Sequence, residues 1–282
     1  MGFKRNFSEI SELTSANLFS NYMKLDCEKQ NVFMTIRNGY LSFYHKGGRL
    51  FKFDKNGFQT HIKYAAVIKK DNKDYLTETE LDSYDLSIDF AKNYTRIKEN
   101  CEKYVGIEGV GVSDLYRQHS YLSESDIIVL DIEVSFKSND KDKTQDKIDI
   151  LLFNKNTKTL QFVEAKHYSN GEIKSKPKPK VLNQIERYKT QINNPKVNTQ
   201  ILEAYKNYIN IINKIYDINL PEPEKICKEV SLLIFGFDTD QGKGGLKNIK
   251  EILKKHKVKF YTKGNMGKVN IEPLWKKGCS EL

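Results

Sequence analysis

Residues 147–168, KIDILLFNKNTKTLQFVEAKHY, decide how this chain is read. Two apolar runs of strand length flank the turn NKNTK, which predicts a pair of antiparallel strands. Successive side chains on a strand alternate faces. Asp149 therefore shares a face with Leu151 and Phe153, and Glu164 and Lys166 share one with Leu160 and Phe162. A carboxylate held at a core position costs roughly several kcal/mol unless it is paired or metal-bound. Pairing of the two strands brings Asp149 and Glu164 within reach of one cation, with the Lys166 ammonium beside them. A cross-strand salt bridge on a solvated sheet face is the plainer account of the same residues.

Placement, rather than the Glu-x-Lys pattern itself, singles out Glu164 and Lys166. Glu172-Ile173-Lys174 matches it too, and Asp71-Asn72-Lys73 matches its looser Asp version, but both lie outside any apolar strand. Downstream, KVLNQIERYKTQI (180–192) carries Val181, Leu182, Ile185, Tyr188 and Ile192 on one helical arc. Gln184 sits at the border of that arc, one turn before Tyr188, where it can reach a carboxylate or a phosphate. Upstream, DIIVLDIEVSF (126–136) reads as a first strand with Asp131, Glu133 and Ser135 on one face. The stretch SDLYRQHSYL before it predicts a short helix starting at Ser113 or Asp114, and VGIEGVGV (105–112) a glycine-punctuated joint. A long helix is expected from Gln200 to Asp217, and EVSLLIFGF (229–237) as a central strand covered on both faces. LKNIKEILKKH (246–256) and VKFYT (258–262) close the chain as helix and strand. The order from residue 113 predicts an α/β (α+β) fold, a mixed sheet flanked by helices.

Residues 1–105 read differently. NVFMTIRNGYLSFYHKGGRLFKFDKNGFQTHIKYAAVI (31–68) alternates apolar runs with Asn-Gly and Gly-Gly pairs, predicting a meander of three or four strands. An amphipathic helix is expected over 86–104, with Leu86, Phe90, Tyr94 and Ile97 on one face. The chain divides on this reading into 1–105, for substrate or partner recognition, and 106–282, which carries the carboxylates.

Taken together, Asp149, Glu164, Lys166, Gln184 and Tyr188 resemble the motif of the PD-(D/E)xK nuclease superfamily, and the Gln-x-x-x-Tyr helix is similar to that of its RecB-type branch. The resemblance covers roughly residues 113–240. It implies a restriction-endonuclease-like αβββαβ core and a Mg²⁺- or Mn²⁺-dependent nuclease acting on DNA, in restriction, phage defence or repair. By that resemblance Asp149, Glu164 and the Ala165 backbone carbonyl hold the metal, Lys166 is catalytic, and Gln184 and Tyr188 lie near the substrate backbone. Glu133 is a further acidic ligand on the same analogy, though a solvent-facing strand edge explains it as well. Ile148 stands where the motif name has proline. His119 resembles an upstream histidine of some members only by approximate position, and a structural role is the simpler reading. A non-catalytic nucleic-acid-binding or scaffold protein on the same fold, and an RNA-directed nuclease, stay open.

Composition permits this. With 47 Lys and Arg against 37 Asp and Glu, the net charge of +10 suits a polyanionic partner. The general richness in Lys, Asn and Ile makes that charge permissive only. A protein partner or a homo-oligomer stays open as well. Cys27, Cys101, Cys227 and Cys279 show neither zinc spacing nor a disulfide framework, which predicts a reducing, cytoplasmic setting. No apolar leader opens the sequence, and the longest apolar stretch is too short to span a bilayer. The run GFDTDQGKGG (236–245) lacks phosphate-loop spacing and reads as a glycine-rich turn. KSKPKPK (174–180) reads as a solvated, proline-stiffened linker.

Overall fold

The computed structural model of the protein describes residues 2–66, 89–136, 147–174 and 178–279. The lysine-rich connection 137–146, residues 175–177 of the basic linker and the start of the helix expected over 86–104, Leu86 included, lie outside them.

Two short helices, α1 (Ile10–Ser15) and α2 (Lys24–Glu28), precede four strands, β1 (Val32–Arg37), β2 (Tyr40–His45), β3 (Gly48–Asp54) and β4 (Gly57–Gln59). These pair antiparallel in the order β1-β2-β3-β4, a four-stranded meander. The expected Asn-Gly turns sit at its hairpins, with Gly39 and Gly57 in the left-handed region that a two-residue loop requires. Helices α3 (Ile62–Ala65) and α4 (Tyr94–Glu102) follow, and α4 buries Tyr94, Ile97 and Cys101.

Helix α5 runs Ile107–Gln118, so the glycine-punctuated joint expected at 105–112 is helical for most of its length. Glycines lower helix propensity by about 1 kcal/mol each, but here they permit close packing. A Cβ on Gly109 would crowd the backbone of Gly47, and one on Gly111 would collide with the Phe235 ring. Tertiary contact overrides the local preference.

Strands β5 (Ile127–Ser135), β6 (Lys147–Asn154) and β7 (Thr159–His167) pair antiparallel in sequence. Helix α6 occupies Lys180–Ile192, and its buried residues are the five read from the sequence. Helix α7 spans Pro195–Tyr216, starting earlier than expected because Asn194 caps it and Pro195 fits its first turn. The short β8 (Lys225–Ile226) pairs β7. Strand β9 (Ser231–Phe235) is buried throughout and lies parallel to β7, with β10 (Phe260–Lys263) parallel to it. The sheet order is β10-β9-β7-β6-β5, a mixed sheet.

Helices cover both of its faces. On one, Tyr205 of α7 reaches Asp131 of β5. On the other, Gly111 of α5 meets Phe235, which shares the opposite alternation with Gln161 and Ser231. Helix α8 (Thr239–Lys243) takes up part of the expected glycine-rich turn, Asp238 and Gln241 forming a capping box at its start, and α9 (Gly245–Lys255) is the helix expected over 246–256. A final helix, α10 (Ile271–Gly278), was not foreseen. Cys227 and Cys279 pair as a disulfide, Cα–Cα 5.7 Å, which the cysteine spacing did not suggest. Cys27 and Cys101 are free and buried. Residues of both sheets belong to one hydrophobic cluster. Among the described residues no helix is long and apolar enough to cross a membrane.

Candidate active site

The β6–β7 ladder runs through Ile150↔Val163, and one further step in that register sets Asp149 opposite Glu164. Asp149 Oδ2 accepts a hydrogen bond from the Ala165 N–H at 2.8 Å. Lys166 Nζ lies 2.8 Å from Glu164 Oε1. Asp149, Glu164 and Lys166 therefore converge at one end of the hairpin. Glu164 is fully buried and Lys166 nearly so, while Asp149 is partly exposed and opens the group to solvent.

This is a costly cluster. Neither Glu164 oxygen has a properly directed hydrogen-bond donor among the described residues, although Lys166 supplies charge at contact distance. Burial, and then the charge of Asp149, push the Glu164 carboxyl well above the usual carboxylate range. Burial likewise raises Asp149 to about 6, with Glu108 and Glu133 adding repulsion against the relief given by the Ala165 N–H and Lys166. Burial alone would lower the Lys166 ammonium, but Glu164 and Glu172 outweigh it and hold the lysine charged. Two carboxylates pushed toward protonation beside a retained cation form an oxygen-rich site short of positive charge.

Two contributors escaped the sequence reading. Glu172, whose Glu-x-Lys surroundings had been set aside, places Oε2 2.9 Å from Lys166 Nζ. Glu108, in the first turn of α5, accepts from the His167 N–H at 3.0 Å and from Asn170 Nδ2 at 2.7 Å. Glu108 was hidden inside a segment whose glycines suggested a loop.

The helix pair joins the site through the backbone. Gln184 Nε2 donates to the Tyr188 hydroxyl at 3.1 Å, and that hydroxyl donates to the Lys147 carbonyl at 2.7 Å. Lys147 is two residues before Asp149 on β6, so α6 is fixed against the strand that carries the acid. Glu133 falls between the pairs Ile132↔Ile150 and Val134↔Ile148 and so faces Asp149 across the β5–β6 ladder. It takes a left-handed φ of 49°, uncommon for a residue with a side chain. Its carboxylate receives the Tyr44 hydroxyl and Lys147 Nζ, each at 3.3 Å. Asp131, on the same strand, is locked away by Arg5, Arg37 and Tyr205. His119 has both ring nitrogens bonded, to the Ser125 hydroxyl and the Val269 carbonyl. His167 lies on the opposite sheet face from Lys166, against Phe235.

Among the described residues, no three or more His, Cys, Asp and Glu side chains are gathered to hold an ion by themselves. The donor set nevertheless fits a hard divalent cation of the Mg²⁺ kind. Such an ion is commonly held by one or two carboxylates and completes its shell with water and substrate phosphate. Asp149, and Glu164 with no directed hydrogen-bond donor to either oxygen among the described residues, would supply that pair. No family model, no curated protein and no solved structure matches this chain.

Proposed function

We propose that this protein is a divalent-metal-dependent nuclease that hydrolyses phosphodiester bonds in DNA, built on a restriction-endonuclease-like core. The observation that carries the reading is the convergence of Asp149, Glu164 and Lys166, with both Glu164 oxygens buried and lacking directed donors. Asp149 and Glu164, with the Ala165 carbonyl, would hold Mg²⁺ or Mn²⁺. When bound, such an ion lowers the pKa of a coordinated water and offsets charge on a phosphate.

The chain's own residues do the rest. Lys166, kept cationic by Glu164 and Glu172, orients the attacking water or steadies the charge that builds on the phosphate. Burial of Glu164 excludes competing solvent and strengthens these electrostatic terms. The Tyr188–Lys147 bond fixes the register of Asp149, and Gln184 is held beside it at the substrate side. Surface lysines grip the backbone irrespective of sequence. Restriction, phage defence and repair are the settings in which such an activity is used.

Calorimetric titration with Mn²⁺, paired with side-by-side digestion of plasmid DNA and RNA, tests the reading. Metal uptake lost in Glu164→Gln, with DNA consumed in preference to RNA, is the expected result. Nucleic-acid binding that is indifferent to metal and to EDTA would instead mark a non-catalytic binding protein.

A further inference from the structure

Between the four-stranded meander and the β5–β6 edge of the mixed sheet lies a cleft of about 380 Å³. That falls within the roughly 300–1,000 Å³ usual for small-molecule sites. Its walls combine Lys4, Arg37, Tyr40 and Arg49 with Glu133 and Lys147. Arg5 is the remaining basic residue of the lining, so five cationic side chains face the single carboxylate of Glu133.

The charges are unequally committed. Arg5 and Arg37 share the one buried carboxylate of Asp131, which leaves a surplus positive charge at that wall. Arg5 Nη2 is buried without an acceptor among the described residues. Lys4 and Arg49 are exposed and make no ion pair among the described residues. Lys147 is held only at 3.3 Å by Glu133. The cleft also abuts the carboxylate site, because Lys147 precedes Asp149 by two residues and Glu133 faces Asp149 across the ladder. A cationic cleft next to an acidic, cation-seeking site is the charge pattern that a strand of phosphates crossing both requires.

The geometry points to this cleft as the seat of a nucleotide flanking the reacting phosphodiester, its phosphate held by Arg49, Lys4 and Lys147. The assignment rests on the nuclease reading and gives the N-terminal sheet its part in it. The same phosphate chemistry could be offered by a free mononucleotide, and the test separates the two.

Binding of a short fluorescein-labelled DNA duplex to the full chain is read by anisotropy in EDTA, over a range of salt concentrations. Arg49→Glu and Lys4→Glu are compared with Lys254→Glu. Lys254 lies on α9, which leads into β10 at the sheet edge remote from β5. Circular dichroism verifies that each variant is folded. Arg49→Glu and Lys4→Glu are each expected to weaken binding about tenfold and to reduce the salt slope by about one. Lys254→Glu is expected to stay within about twofold of wild type.

Wild-type affinity and slope in both cleft variants overturn the proposal, as does equal weakening by Lys254→Glu. Binding of dAMP that Arg49→Glu abolishes, with duplex binding untouched, overturns the strand assignment in favour of a free nucleotide. Because binding is read without metal, failure of the protein to cleave DNA in Mg²⁺ sinks the nuclease reading and leaves this result standing. Duplex binding that ignores both cleft variants, with cleavage intact, does the reverse.

Discussion

The Tyr188 hydroxyl donates a hydrogen bond to the carbonyl of Lys147, 2.7 Å away, and thereby ties helix α6 to the strand that presents Asp149. The same hydroxyl accepts from Gln184, so one oxygen joins both members of the helical pair to the acid-bearing strand.

Tyr188→Phe keeps the buried ring and removes that oxygen. A loss of about 1–3 kcal/mol in unfolding free energy is expected, because both hydrogen bonds of that hydroxyl are deleted and two polar groups lose a partner. Cleavage is expected to fall through kcat, with DNA affinity in EDTA little changed. Urea melts and steady-state kinetics on the same preparation check both halves. A variant as active as wild type would detach α6 from the site.

Asp149 yields a stability prediction with a definite sign. Its carboxyl is raised by burial to about 6, so the folded chain binds that proton more tightly than the unfolded chain does. The fold is therefore favoured below the unfolded value near ~4, and that contribution is lost as pH climbs through about 6. Asp149→Asn is expected to stabilise the metal-free protein by about 2 kcal/mol at pH 7.5, with the difference vanishing in acid. Addition of Mg²⁺ is expected to raise the wild-type Tm and leave that of the variant unchanged. Thermal melts at two pH values, with and without metal, decide the matter.

Asp26 behaves oppositely. Burial would raise its pKa, but Lys98 and the Tyr94 hydroxyl, 2.7 Å from Oδ2, outweigh it and hold the carboxyl below the usual range. Its contribution is thus present above the unfolded pKa near ~4 and is lost as pH falls through the depressed folded value. Asp26→Asn is expected to cost about 1 kcal/mol at pH 7 and nothing at strongly acid pH. A parallel loss at every pH would mean the charge is irrelevant to the fold.

Asp131 is the joint between the N-terminal segment and the mixed sheet. It receives Arg5, Arg37 and Tyr205 while fully buried. Removing its charge strands two guanidinium groups, so Asp131→Asn is expected to cost about 3–5 kcal/mol in urea denaturation. A change below about 1 kcal/mol would show that the cluster tolerates the missing acid.

What could be read beforehand follows from how local each signal is. Helix α6 was legible because Val181, Leu182, Ile185, Tyr188 and Ile192 repeat at helical spacing with nothing to break them. The meander was legible from its Asn-Gly turns, and β9 from an unbroken apolar run. Asp149, Glu164 and Lys166 were legible as charges in the wrong place, and the structure does bring them together. Helix α5 was obscured because Gly109 and Gly111 answer to Gly47 and Phe235, partners remote in sequence. Helix α10 is short and carries Pro273 in its first turn, a position where proline is tolerated but reads as a break. The Cys227–Cys279 pairing spans 52 residues and leaves no spacing signature. Glu108 and Glu172 reach the site only through tertiary packing.

The central claim is that Asp149, Glu164 and Lys166 act as one hydrolytic unit, and plasmid cleavage in Mg²⁺ by wild type and Lys166→Ala measures it most directly. The account predicts matching circular dichroism for the two proteins, cleavage by wild type alone, and suppression of that cleavage by EDTA. Equal cleavage by both proteins, or none by a folded wild type in either Mg²⁺ or Mn²⁺, would contradict it.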